Sequence, residues 1–144
     1  AKERMLLASC LAGMAFNPAG LGASHALAHA LGGRLHVPHG RLNALLLPHV
    51  VRFNAADPGA AEKYGRLAKL CGLAGNARAL AAAVERLRLA LKLPDKLTAC
   101  GVDLAAVEGA LEDVTASALA DRCAPSNPRP LTAADVRALL KELV

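Results

Sequence analysis

Gly20-Leu21-Gly22-Ala23-Ser24-His25-Ala26-Leu27-Ala28-His29-Ala30-Leu31-Gly32-Gly33 reads as a helix bracketed by glycines. Between Leu21 and Leu31 the apolar positions are all Ala or Leu, the strongest intrinsic helix formers. Gly32-Gly33 can then supply the left-handed residue that closes a helix. The same composition runs through the whole chain. Of 144 residues, 33 are Ala and 27 Leu, against nine Val, two Phe, one Tyr and no Ile or Trp. So few strand formers cannot populate an ordinary sheet. The expected fold is all-α, a single helical domain over residues 1–144, since chains of roughly 100–200 residues usually build one core.

Working outward, a first helix is expected to run to about Phe16 and to break at Asn17-Pro18-Ala19-Gly20. It starts without a cap residue or initiator methionine, which points to a chain that begins inside a larger protein. After Gly33 comes an irregular loop, Arg34 to Gly40, then a helix from about Arg41 to Phe53 kinked or broken at Pro48. Asp57-Pro58 reads as a helix N-cap followed by the first helical position. Asn76 is expected to cap a helix that ends before Pro94 and carries Leu80, Val84, Leu87 and Leu91 on its apolar face. Asp103 is expected to cap one short helix, with Thr115 to Ala120 forming another. A loop at 121–130 precedes a last helix, opened by the capping box Thr132-Ala133-Ala134-Asp135.

Several function classes drop out. The net charge is +5, but Lys2, Arg34, Arg52, Arg66, Arg88, Arg122 and Arg137 are spread along the chain with no basic block and no aromatic stacking platform. Nucleic-acid binding is not expected. No apolar run approaches the roughly 18–20 residues that span a bilayer, and no secretory signal pattern is seen. Cys10, Cys71, Cys100 and Cys123 form no CxxC pair. They read as reduced thiols that fill core space, as in a cytoplasmic protein.

The chemistry gathers at the histidines. Four of the five lie between His25 and His39, and His25 and His29 are four apart, on one face of the expected helix. His39 sits on the following loop between Pro38 and Gly40. Neutral imidazole ligates both zinc and iron, so two helical ligands and one loop ligand could converge on a cation. The HExxH glutamate of metalloproteases is absent, because position 26 is Ala. Spacing by itself leaves the histidines open between a metal site and partly buried polar groups bonded to the backbone.

The block Gly20 to Gly32, followed by Pro38-His39-Gly40-Arg41-Leu42-Asn43-Ala44 and Leu46-Leu47-Pro48-His49-Val50, resembles the iron-containing (group III) alcohol dehydrogenases. Arg52-Phe53-Asn54, Asp121-Arg122-Cys123 and Asn127-Pro128-Arg129 continue the likeness. The form around His36 to Arg41 resembles the propanol and ethanol dehydrogenase branch. Two departures are Pro18 where the family usually has Asn, and Ala30 where Pro or Lys is common.

The resemblance implies the helical bundle of the C-terminal domain shared by dehydroquinate-synthase-like and iron-containing alcohol dehydrogenases. It implies metal ligands at His25 and His39, with Fe2+ or, alternatively, Zn2+ as the ion. His29 would line the cleft beside the nicotinamide of NAD or NADP, as a cofactor-binding and catalytic residue in a proton relay. The family's nucleotide-binding N-terminal domain is not in this chain, nor are an Asp and a His that the family draws upstream as further ligands. The expected function is thus part of an NAD(P)-dependent, metal-dependent dehydrogenase of short-chain primary alcohols or aldehydes. The fragment alone is expected to be inactive and to associate, as a homo-oligomer or with its missing half. The alternatives are a self-contained metal-binding protein using His25, His29 and His39, or a non-enzymatic helical interaction fragment.

Overall fold

The computed structural model describes residues 1–144 and contains helices only. They are α1 (Lys2–Phe16), α2 (Gly22–Leu35), α3 (His39–Asn54), α4 (Pro58–Leu70), α5 (Ala77–Ala90), α6 (Leu104–Ala120) and α7 (Ala133–Lys141), with short 3-10 turns at Thr98–Cys100 and Ala124–Ser126. The main core joins α2, α3, α6 and α7 around Leu27, Leu31, Leu42, Leu45, Leu46, Val114 and Val136. A smaller cluster, Val51, Ala68, Leu80 and Ala81, ties α4 and α5 to the end of α3. No helix is long and apolar enough to cross a membrane.

The local stop and start signals hold where they are self-contained. Asp57 accepts from the Ala60 amide at 2.8 Å and Asn76 from the Ala79 amide at 2.8 Å. Thr132 and Asp135 form a reciprocal capping box, with both bonds present although Asp replaces the longer Glu. Asp103 occupies an N-cap position but its side chain makes no capping bond.

Packing overrides local preference at four places. The second helix does not stop at Gly32-Gly33. It continues to Leu35, which packs on the main core, and closes at His36 in the left-handed region, φ 55°. Pro48 does not interrupt α3, because Leu45, Leu46, Val50 and Val51 are buried on both sides of it. Residues 104–120 are one helix rather than two. Thr115 lies inside it, with its hydroxyl donating to the Leu111 carbonyl at 2.7 Å, the usual way an interior helical Thr satisfies itself. On α5 the buried stripe is Leu80, Ala81 and Arg88, while Leu87 and Leu91 are exposed. The face that meets α3 is therefore rotated from the one expected from leucine spacing.

Cys123 is buried and Cys100 half-buried, but Cys10 and Cys71 are exposed, so only two thiols behave as core residues. The first helix, α1, buries none of its side chains and leaves Met5, Leu6, Leu7, Leu11 and Met14 in solvent. Together these side chains form an exposed apolar surface.

The loop after α6 fastens the N-terminus of α2. The first amides of a helix have no partner inside it. Here Ser126 Oγ accepts from the Gly22 amide at 3.2 Å and Asn127 Oδ1 from the Ala23 amide at 3.0 Å. The approach is close enough to require glycine. Gly22 has φ +66°, and a Cβ there would lie 2.8 Å from Asn127 Oδ1. Asn127 and Asn54 also exchange two amide hydrogen bonds, of 2.7 and 3.0 Å, while Arg129 donates to the Phe53 carbonyl and stacks on the Phe53 ring. One loop thus holds the start of α2 to the end of α3, and its other end brings Asp121 beside His29.

Candidate metal centre

Three of the four clustered histidines meet. His25 and His29 come from successive turns of α2, and His39 is the first residue of α3. Ring centroids are 5.2 Å apart for His25–His39, 5.2 Å for His29–His39 and 6.0 Å for His25–His29. The orientations differ. His25 and His39 are tilted by 53°, whereas His29 and His39 are nearly parallel at 17°. Lone pairs lie in the ring plane, so tilted rings can converge on one ion and parallel stacked rings point side by side. His36 caps α2 and takes no part in the cluster, and His49 pairs with Glu142 at 2.6 Å.

The His39 and His29 rings are held by side-chain hydrogen bonds. Ser24 donates its hydroxyl to Asn43 Oδ1 at 2.9 Å, which turns the amide nitrogen of Asn43 towards His39 Nε2, also at 2.9 Å. His29 Nδ1 lies 2.9 Å from Asp121 Oδ2, and the other oxygen of Asp121 accepts from the Cys123 amide at 2.7 Å. A neutral His29 with its proton on Nδ1 leaves Nε2 as the free acceptor. Burial alone would raise the Asp121 carboxyl. The Cys123 amide and the His29 ring outweigh it and hold the group below the ordinary carboxylate range. His25 is pushed the opposite way from a paired histidine: burial, then the like charges of His39 and His29, lower its value from the ordinary 6.5. That favours the neutral, ligand-competent form.

This shift carries a sign for stability. The unfolded chain binds the His25 proton more readily than the folded one, so acid favours unfolding. Stability is expected to fall as pH drops below the ordinary value of 6.5 towards the lower folded value. A proton-NMR titration should place the His25 midpoint below 6.5, and His39→Ala should move it back upwards. A midpoint at or above 6.5 would contradict the crowding of the three rings.

Beside His25 an open cavity of about 390 Å³ is lined by Phe16, Gly20, Leu21, Ser24, Asn43, Ala44 and Leu47. Its wall is mainly apolar, with polar groups only at the histidine end. Phe16 reaches to within 6.2 Å of the His25 ring, centroid to centroid, and is the one residue of α1 that touches the site.

The donor set fits a divalent cation in kind, since imidazole suits iron and zinc alike. It is short in number, because such sites take three or four protein ligands. Sequence reasoning assigned no role to Ser24, Asn43, Phe16 or Asp121. Asp121 is 92 positions from His29, and no periodicity links them.

The whole chain, residues 1–144, matches the sequence model of the Fe-containing alcohol dehydrogenase family, C-terminal. The chain belongs to that family. It is 44% identical over 150 residues to a 1-propanol dehydrogenase of Salmonella typhimurium, covering 99% of this chain and 40% of the relative. It is 41% identical to a 1,3-propanediol dehydrogenase of Klebsiella pneumoniae, covering 99% of this chain and 37% of that protein. A crystal structure of a 1,3-propanediol oxidoreductase superposes with a TM-score of 0.85 at 39% identity, over 95% of this chain and 36% of the other. The chain thus spans roughly two fifths of the length of its curated relatives. The all-helical fold and the family resemblance read from Gly20 to Asn54 are both borne out.

Proposed function

We propose that this chain is the metal-binding helical part of an NAD(P)-dependent alcohol dehydrogenase that interconverts short-chain primary alcohols and aldehydes. The observation that carries the reading is the close His25–His39 pair, with His25 on the wall of a mainly apolar cavity, in a chain of the iron-containing family. His25 and His39 would hold the ion, Fe2+ or Zn2+, and the remaining ligands would come from residues upstream of this chain. A divalent metal there supplies Lewis-acid polarisation of the alcohol or carbonyl oxygen, and a nicotinamide supplies the hydride acceptor.

The chain's own residues do the positioning. Ser24 and Asn43 fix the His39 ring. Phe16, Leu21 and Leu47 form a wall that holds a short carbon chain and keeps water from the reacting carbon. His29, anchored through Nδ1 to Asp121, presents Nε2 as an acceptor for the hydroxyl proton and passes it towards solvent. The parallel stacking of His29 on His39 supports this role for His29 over that of a third ligand. The exposed apolar residues of α1 would pack against the remainder of the longer protein or a second copy, in the cytoplasm.

The test is reassembly. Joined to the nucleotide-binding part of the Salmonella 1-propanol dehydrogenase and loaded anaerobically with iron, the chain should reduce NAD or NADP in the presence of 1-propanol. The 144-residue chain alone should not. Asp121→Asn should lower kcat by about 10²-fold, with KM little changed, as expected for loss of a group that orients a proton acceptor. A reassembled protein that binds metal and cofactor but oxidises no alcohol would overturn the reading.

A further inference from the structure

We propose that His29, Asp121 and Cys123 form a second cation site, of the zinc class, that uses neither His25 nor His39. The three side chains offer one nitrogen, one oxygen and one sulfur, all within 4.8 Å of one another. That mixture suits Zn2+, which takes thiolate, imidazole and carboxylate together in near-tetrahedral sites. The sulfur separates this set from the His25–His39 pair, which offers imidazole only.

The site is built into the fold rather than assembled by chance from mobile side chains. His29 stands on α2, while Asp121 and Cys123 begin the loop that Ser126 and Asn127 fasten to the α2 N-terminus. One Asp121 oxygen is held by the Cys123 amide, which leaves the other aimed at His29. Oriented outer bonds of this kind tune metal ligands. Cys123 is 6% exposed, and the His29 and Asp121 side chains are 39% and 17% exposed. The sulfur therefore forms the closed floor and the other two donors the open rim. An open groove of about 430 Å³, lined by His29, Ala30, Gly33, Arg34, Ser117 and Asp121, leads to that rim and leaves room for a water as fourth ligand.

The charge balances. A dication replaces the thiol proton of Cys123, which leaves to solvent, while neutral His29 shifts its remaining proton from Nδ1 to Nε2. Thiolate and carboxylate together cancel the charge of the ion, so no net charge is buried. On the functional reading proposed above, occupancy would also take His29 Nδ1 and Asp121 out of their mutual bond. The site itself does not depend on that reading.

Cobalt(II) is the probe, because only a thiolate ligand produces a near-ultraviolet sulfur-to-cobalt charge-transfer band. The 144-residue chain carrying Cys10→Ser, Cys71→Ser and Cys100→Ser is titrated with Co2+ near neutral pH. The band should saturate at about one ion per chain. It should survive His25→Ala with His39→Ala and vanish in Cys123→Ser. His29→Ala and Asp121→Ala should each weaken binding by about 10–100-fold or more. Far-ultraviolet circular dichroism checks that each variant is folded. In the unsubstituted chain, release of about one proton per zinc bound provides a reading that needs no variant. Absence of the band at millimolar cobalt, or its loss with His25 and His39 rather than with Cys123, would overturn the proposal.

Discussion

Asn127→Ala is expected to destabilise the chain by about 3 kcal/mol, more than any other single polar truncation. Asn127 is 8% exposed and Asn54 3%, so water cannot readily replace what is lost. The side chain accepts from the Ala23 amide and from Asn54, and donates to Asn54 and to the Arg129 carbonyl. Truncation takes their partner from the Ala23 amide, the Asn54 carboxamide oxygen and the Arg129 carbonyl, while the Asn54 amide nitrogen keeps its bond to the Tyr64 hydroxyl. Each such unpaired buried group costs about 1–3 kcal/mol. Thermal unfolding should show Tm lowered by about 10 °C, at a few degrees per kcal/mol for a chain of this size. Asn127→Asp does not rescue it, because a carboxylate keeps the acceptor but loses both donations and brings a charge indoors. In a double-mutant cycle with Asn54→Ala, the two losses should fall short of additive by more than about 1 kcal/mol. Additive losses would mean that the paired amides are not a unit. A Tm change of only a degree or two would mean that the loop does not hold α2.

What could be read in the sequence was what is local. The Ala and Leu content excluded a sheet, and Asp57, Asn76 and Thr132 marked helix starts because a cap needs only residues within one turn. The 3.6-residue period put His25 and His29 on one face. What was not legible depends on partners distant in sequence. Gly32-Gly33 and Pro48 are breakers in isolation, yet both lie inside helices whose flanking leucines and valines are buried against other elements. The rotated face of α5 is set by how it lies on α3, which leucine spacing does not contain. The site divides the same way. His39 could be placed with the pair because it follows the helix by only a short loop, whereas Asp121 and Asn127 reach α2 across 92 and 104 positions. The glycines gave a partial signal. Gly20 and Gly22 could be read as a turn, but the left-handed backbone and the side chains pressed against them belong to the loop after α6.

His25→Ala and His39→Ala should each lower metal affinity by about 100-fold or more, about 2.7 kcal/mol, while His29→Ala should change it by less than about threefold. The measurement is made on the chain joined to the nucleotide-binding part of the Salmonella 1-propanol dehydrogenase. A Cys123→Ser background keeps the sulfur-containing site from contributing. The asymmetry follows from ring orientation. His25 and His39 are tilted by 53° with their ring centroids 5.2 Å apart, whereas His29 lies 17° from parallel to His39 and has its Nδ1 engaged by Asp121. The same geometry predicts little retained metal on the 144-residue Cys123→Ser chain by itself, because two imidazoles are too few to hold a dication through buffer exchange. If His29→Ala instead costs as much as the other two, and the isolated Cys123→Ser chain keeps about one ion, the three histidines are a complete site in themselves. The split-enzyme reading would then give way to that of a self-contained metal-binding protein. If none of the three substitutions alters affinity, the ligands lie outside this chain, and the cluster is a structural contact between α2 and α3.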